Sequence, residues 1–437
     1  MITRIEAYRY RCFAQLAVDL GEYNVLAGPN GAGKTTLLDI PTLLGDLLNQ
    51  RRFIAEAFLE TQPTWPQAPR AHTLRDLIHK QVGDDFVIVI EAKLPDKIAN
   101  AIYDTSPESV KKDREKSPDC IRYELRLEDF NNSLQVANEY LYLFPESRRP
   151  ELGAAGGLQG EPEEVLKSGR PKLRDVTWRP IIHRDSGDPA RFCEETSTRS
   201  KPTDNRLAPT QLAFGGLSVD EMMFPAGNWL RDLLEQDTVF YDPKWSDLRQ
   251  ASLPGQPDSL LPDGSNLPWM VKNLKENDPD RFEAWVEHVQ TALPIESIDV
   301  VVREGDYHAY FVVHYEGGYQ VTSSGLSDGT LRIIALTLIP YLTKIPGLVV
   351  TEEPENGIHP KAIEVVLQSL TSVYDGQVWI STHSPIVLAH TELESVLCCR
   401  MNDDGSVSVI HGNKHPQLKE WKGGVDLGTL FAAGVLG

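Results

Sequence analysis

Cysteine is scarce. The 437-residue chain holds five, Cys12, Cys120, Cys193, Cys398 and Cys399, an odd number with no C-x-x-C pair. This speaks against a disulfide framework, and reduced thiols in a cytoplasmic protein are expected. Positive charge is also short, with 43 Lys and Arg against 63 Asp and Glu for a formal net charge of −20. Such a balance opposes adhesion to nucleic acid over the whole surface, so DNA contact would need a local basic cluster. The chain has no uninterrupted membrane-length apolar run. Its longest candidate, Leu331 to Val350, is broken by Arg332, Pro340, Lys344 and Pro346. It reads as a buried helix and a buried strand, so no membrane span is expected. The opening residues Met1 to Ile5 alternate like a strand and lack the apolar core of a signal peptide. Finally, no internal repeat and no sustained heptad lies between residues 50 and 295, so long coiled-coil arms are not expected.

What is present begins with Gly28-Pro29-Asn30-Gly31-Ala32-Gly33-Lys34-Thr35-Thr36, which fits G-x-x-x-x-G-K-[ST]. It follows a short apolar strand, Tyr23 to Ala27, and opens a helix at Leu37 to Ile40, with a kink expected near Pro41. A glycine loop at a helix N-terminus aims backbone N–H groups at an anion, and the helix dipole favours negative charge there. The motif therefore implies a nucleoside triphosphate. Lys34 would reach its β and γ phosphates, and the Thr35 hydroxyl would ligate magnesium.

The rest of the chain divides into three expected stretches. Residues 1–145 hold the loop and β-like segments at Ile2–Tyr10, Gln15–Leu20, Phe86–Ile90, Ile121–Leu127 and Val136–Leu143. The last two alternate, as in an antiparallel sheet with one wet face. Residues 146–295 hold a Pro/Gly/Glu-rich linker over 146–175 and a hairpin from Thr177–Arg184 to Ala190–Glu195. Helical patterns follow at 219–235 and 268–292. The densest basic run, Lys167, Arg170, Lys172, Arg174, Arg179, His183 and Arg184, lies here. It suits a nucleic-acid backbone, an acidic partner or simply solvent. Residues 296–437 open with β-like segments at Ser297–Arg303, Tyr307–Tyr315 and Tyr319–Thr322, then become strongly patterned α/β.

Three motifs follow in order. Ser324-Gly325-Leu326-Ser327-Asp328-Gly329-Thr330 precedes an apolar helix. Its Leu-Ser-x-Gly core resembles the ABC signature, and it is also a common turn and cap. Gly347 to Glu353 is an apolar strand ending in paired carboxylates, a Walker B arrangement. Glu352 would sit beside magnesium, and Glu353 would act as general base on the attacking water. Val378 to Pro385 is a buried strand ending at His383, which matches a switch histidine.

In this order the motifs resemble the AAA family ATPases of the RecF, SMC and OLD type. The resemblance covers about residues 1–48 and 320–390 and includes Arg11, Phe13 and the run Glu352-Glu353-Pro354-Glu355-Asn356-Gly357-Ile358-His359-Pro360. It implies an α/β, two-lobed ABC-type ATPase. A mixed or parallel sheet core would surround the phosphate loop, with an antiparallel β subdomain and a helical insertion. It also implies ATP with Mg2+ and a homodimer or higher homo-oligomer closed around ATP. Gly28, Asn30, Gly31, Ala32, Gly33, Lys34, Thr35 and Thr36 would bind the nucleotide in their own chain. Ser327, Asp328 and Gly329 would serve the partner's nucleotide, and Asn356 and His359 would lie at the dimer seam. No Q-loop glutamine is evident beyond Gln62. Too few residues follow Pro385 for the nuclease domain of OLD proteins, which implies a separately encoded effector, a nuclease or toxin, in defence or repair. Two other classes stay open: a transporter's nucleotide-binding subunit, and a scaffold that binds ATP without turnover.

Overall fold

A computed structural model of the chain describes residues 1–50, 53–65, 68–106, 108–149, 178–197, 201–418 and 426–435. Its contacts group into two compact units, both discontinuous in sequence. One comprises Met1–Gly21, Pro29–Asp237 and Cys398–Lys414, and the other Glu22–Gly28, Thr238–Leu397 and His415–Gly437. Reading consecutive stretches cannot show such interleaving. The α/β expectation holds, with parallel and antiparallel sheets alongside helices.

The first unit is built on an eight-stranded sheet. Its order is Phe13–Asp19, Ile2–Tyr10, Asp85–Lys93, Cys120–Phe130, Ser133–Phe144, Arg179–Asp185, Ala190–Phe192 and Thr203–Asn205. All neighbours are antiparallel. The expected hairpin after residue 177 is therefore present. The expected wet face is not. Glu6, Glu91, Arg122 and Glu124 alternate with apolar residues, yet all four are buried. Arg122 meets Glu6 at 2.7 Å, Glu91 at 2.6 Å and Glu124 at 2.7 Å. Alternation shows that side chains differ in polarity; it does not show whether charges face water or one another. The expected linker beyond residue 149, with Lys167, Arg170, Lys172 and Arg174, lies outside the described residues. Arg179 and Arg184 do not form a free basic face: Arg179 donates to the Glu195 carbonyl, and Arg184 to those of Gln211 (2.5 Å) and Ala208 (2.9 Å).

The helix after the phosphate loop, Lys34–Asn49, continues through Pro41 as one element. It is held by a buried cluster. The Arg70 guanidinium reaches Asp39 at 2.7 Å and Asp46 at 2.7 Å, donates to the Ala57 carbonyl, and lies over the Trp65 ring. Removing one partner of such a buried group costs about 3–5 kcal/mol, so this cluster ties the middle of the helix to residues 57–70.

The second unit carries four parallel strands in the order Thr238–Phe240, Leu348–Glu352, Gln377–Thr382, Tyr23–Ala27. Val349, Val350, Val378, Trp379, Ile380, Val25 and Leu26 are buried, as suits strands covered on both faces. A three-stranded antiparallel sheet, Ile295–Val302, Ala309–Tyr315 and Tyr319–Thr322, precedes the helix Asp328–Thr337. The helical stretch expected over 268–292 is two helices, Leu267–Asn277 and Pro279–Gln290. Asp278 ends the first and caps the second, where Pro279 can only start a helix. Among the described residues no helix is long and apolar enough to cross a membrane.

Candidate functional site

Strand register brings the carboxyl ends of three strands side by side. Glu352 pairs with Ser381, and Thr382 pairs with Ala27. The strand Tyr23–Ala27 therefore delivers Gly28 beside the tips that carry Glu353 and His383, where doubly wound sheets bind ligands.

From Pro29 the loop belongs to the first unit. Gly31 (φ 80°) and Gly33 (φ 73°) are left-handed, a conformation that strains any residue with a Cβ. A Cβ on Gly33 would also lie 2.7 Å from the Cys12 thiol and 3.1 Å from the Phe13 ring, so these two side chains form the floor of the loop. Burial pushes the Cys12 thiol pKa up, with the Thr36 hydroxyl opposing. Ala32 is buried and donates its N–H to the Pro29 carbonyl at 3.2 Å, while Asn30 is exposed. Lys34 is also buried, and its amine donates to the same carbonyl at 3.0 Å. An ammonium resting on a loop carbonyl, in a loop with two left-handed glycines, fits a phosphate group. Thr35, the second residue of the helix, is half-buried. Arg11, at φ 51°, donates to the Arg70 carbonyl at 2.9 Å. Gln62 is tied to the short helix before it, donating to the Glu56 carbonyl at 2.8 Å.

In the second unit, Glu352 ends its strand half-buried. Glu353 then takes φ 44°, rare for a residue with a side chain and costly enough to need support. Support comes from four directions. Its N–H donates to the Ser381 carbonyl at 2.9 Å, and its own carbonyl accepts from Arg332 at 3.3 Å. One carboxylate oxygen lies 3.1 Å from His383 Nε2, and the other accepts from the Asn356 amide. The residue expected at a dimer seam, Asn356, thus also orients Glu353. His359 is exposed and caps the helix Pro360–Thr371, accepting from the Lys361 N–H at 3.3 Å.

Ser327 caps the helix Asp328–Thr337, accepting from the Thr330 N–H at 3.1 Å, and is itself exposed. Asp328 pairs with Arg249 at 2.7 Å, which offsets its negative charge at the helix start. A Cβ on Gly329 would lie 2.7 Å from the Gly357 carbonyl, so the signature turn packs directly on the loop that follows Glu353.

Sequence reasoning assigned no role to Arg332, Glu355 or Cys12. Arg332 stacks over the Trp245 ring at 4.2 Å, and burial lowers its pKa against the pull of Asp242 and Glu355. Burial likewise raises the Glu355 pKa, with the Thr382 hydroxyl opposing. The only sequence signal for Glu355 is its place in Glu-Glu-Pro-Glu.

Against known proteins, residues 101–389 match the family described as "AAA domain, putative AbiEii toxin, Type IV TA system". Among solved structures the chain is similar to an SMC head bound to the C-winged helix domain of ScpA, at 13% identity and TM-score 0.48, covering 94% of this chain and 97% of that one. It is also similar to an SMC head domain with an extended coiled coil bound to the C-terminal domain of ScpA derived from Pyrococcus furiosus. There the identity is 11%, the TM-score 0.46, and the coverage 94% and 95%. A third is the SMC head domain from Thermotoga maritima, at 10% identity and TM-score 0.39, covering 94% and 98%. The chain belongs to the AAA-domain family.

Proposed function

We propose that this AAA-domain protein is a cytoplasmic ATP-binding and ATP-hydrolysing switch. It closes as a homodimer, or a higher homo-oligomer, around ATP. In doing so it controls a separately encoded effector, a nuclease or toxin, in phage defence or DNA repair. The observation that carries this reading is the Glu353–His383 pair, 3.1 Å apart on neighbouring strands whose next neighbour runs into the phosphate loop.

Lys34 exchanges its Pro29 carbonyl for phosphate oxygens, and the loop N–H groups take the rest of the charge. A water oxygen attacks the γ-phosphorus, and the bond to the bridging oxygen of ADP breaks. The proton of that water passes to Glu353, held in place by Asn356 and His383. The His383 ring can then turn from Glu353 to the transferred phosphoryl oxygens. Magnesium, for which Thr35 and Glu352 are the proposed ligands, would supply charge neutralisation on the β and γ phosphates. The exposed helix start at Ser327, with Asp328 neutralised by Arg249, suits the phosphate of a nucleotide held by a second copy. A family described by an AAA domain, a putative toxin and a type IV toxin–antitoxin system supports a role paired with a second gene product.

Phosphate release by the purified protein, compared with Glu353→Gln, tests the reading. Turnover that the substitution abolishes supports it. If both proteins are silent while ATP still drives association, the non-hydrolysing scaffold takes its place.

A further inference from the structure

We propose that Glu355 is a positioning residue for hydrolysis, its carboxylate holding the Thr382–His383 turn so that the His383 ring lies against Glu353. The inference rests on the hydrolytic reading above. Pro354 separates two carboxylates whose tasks diverge. Glu353, at φ 44°, reaches the His383 ring, while Glu355 accepts from the Thr382 hydroxyl at 2.5 Å. The Thr382 oxygen in turn accepts from the Ser384 N–H at 2.9 Å. One acid therefore grips the ring and the other anchors the backbone on either side of it. The Thr382 hydroxyl donates to Glu355 and accepts from Ser384, and Thr382 is fully buried. Without the Glu355 acceptor the Thr382 hydroxyl loses its carboxylate partner, and His383 loses its fixed approach to Glu353.

A residue that merely stabilised the fold would lower stability and disturb ATP binding and turnover together. A positioning residue would lower kcat alone. The test is steady-state ATP hydrolysis by wild type, Glu355→Ala, Thr382→Val, Thr382→Ser and the Glu355→Ala/Thr382→Val double variant. The proposal expects kcat to fall about 30-fold in each of the first two variants, with KM for ATP within about twofold. It expects Thr382→Ser to stay within about threefold of wild type, and the double variant to be no worse than about twofold below the weaker single variant. Losses that multiply, KM rising as much as kcat falls, or an unchanged kcat would each overturn it. If Glu355→Ala does not fold, the contrast between Thr382→Val and Thr382→Ser decides alone: equal kcat overturns the proposal. Wild-type protein without turnover would overturn the hydrolytic reading itself, and this inference with it.

Discussion

Glu353 and His383 meet at 3.1 Å although thirty residues part them, because the strands Leu348–Glu352 and Gln377–Thr382 run parallel in register and end together. Each polar tip is the first residue past its strand. The contact therefore follows from strand length and register. The left-handed backbone at Glu353 then turns the carboxylate towards the histidine.

His383→Ala should lower ATP turnover by about 10–100-fold, since the ring orients the base without replacing it. Equilibrium binding of a fluorescent ATP analogue should change by less than about threefold. Binding loss as large as turnover loss would place His383 in ground-state recognition.

Much of this site was legible in the sequence, and for a physical reason. A glycine loop, an apolar strand ending in acids and a strand ending in histidine are local patterns, and each local pattern fixes its own side chains. The strands Ile2–Tyr10 and Tyr23–Ala27 fall where periodicity places them. Contacts that depend on tertiary placement were not legible. Nothing local says that Asp39 and Asp46 face Arg70, that Cys12 and Phe13 underlie Gly33, or that Thr382 gives its hydroxyl to Glu355. The charged face of the antiparallel sheet misled for the same reason, since Glu6, Glu91 and Glu124 converge on Arg122 only when strands distant in sequence align.

Gly329→Ala should weaken the junction between the signature turn and the loop after Glu353. The added Cβ would stand 2.7 Å from the Gly357 carbonyl, a backbone atom that cannot step aside cheaply. Overpacking of this kind costs about 1–3 kcal/mol, to be read from chemical denaturation. Turnover should fall as well, because Asn356, next to Gly357, holds Glu353.

Stability should depend on pH through Glu195. Its buried carboxylate accepts from the N–H groups of Ala226 at 2.6 Å and Gly227 at 2.8 Å, and burial pushes its pKa up to about 7 from 4.5. The folded protein then holds this proton over a range where the unfolded chain has lost it. The stabilisation is full below about pH 4.5 and is lost as pH rises through about 7, amounting to about 3 kcal/mol. Denaturation of wild type and Glu195→Gln across this window should show the slope in wild type and a flatter line in the variant. Parallel curves would contradict the assignment.

Lys34→Ala should abolish nucleotide binding, because the buried amine is the only side-chain cation in the loop and its carbonyl partner is exchangeable. Calorimetric titration with ATP should show no saturable heat, whereas an affinity within about fivefold of wild type would remove Lys34 from the phosphate site.

In the proposed switch ATP is a ligand shared between two copies, with Ser327 of one completing the loop at Gly28–Thr36 of the other. Sedimentation velocity with saturating ATP and magnesium tests it most directly, using Glu353→Gln to prevent turnover and the same protein carrying Ser327→Arg. The first should form ATP-dependent dimers, or larger assemblies. The second should remain an ATP-bound monomer. A Ser327→Arg protein that associates with ATP as fully as its parent would contradict it.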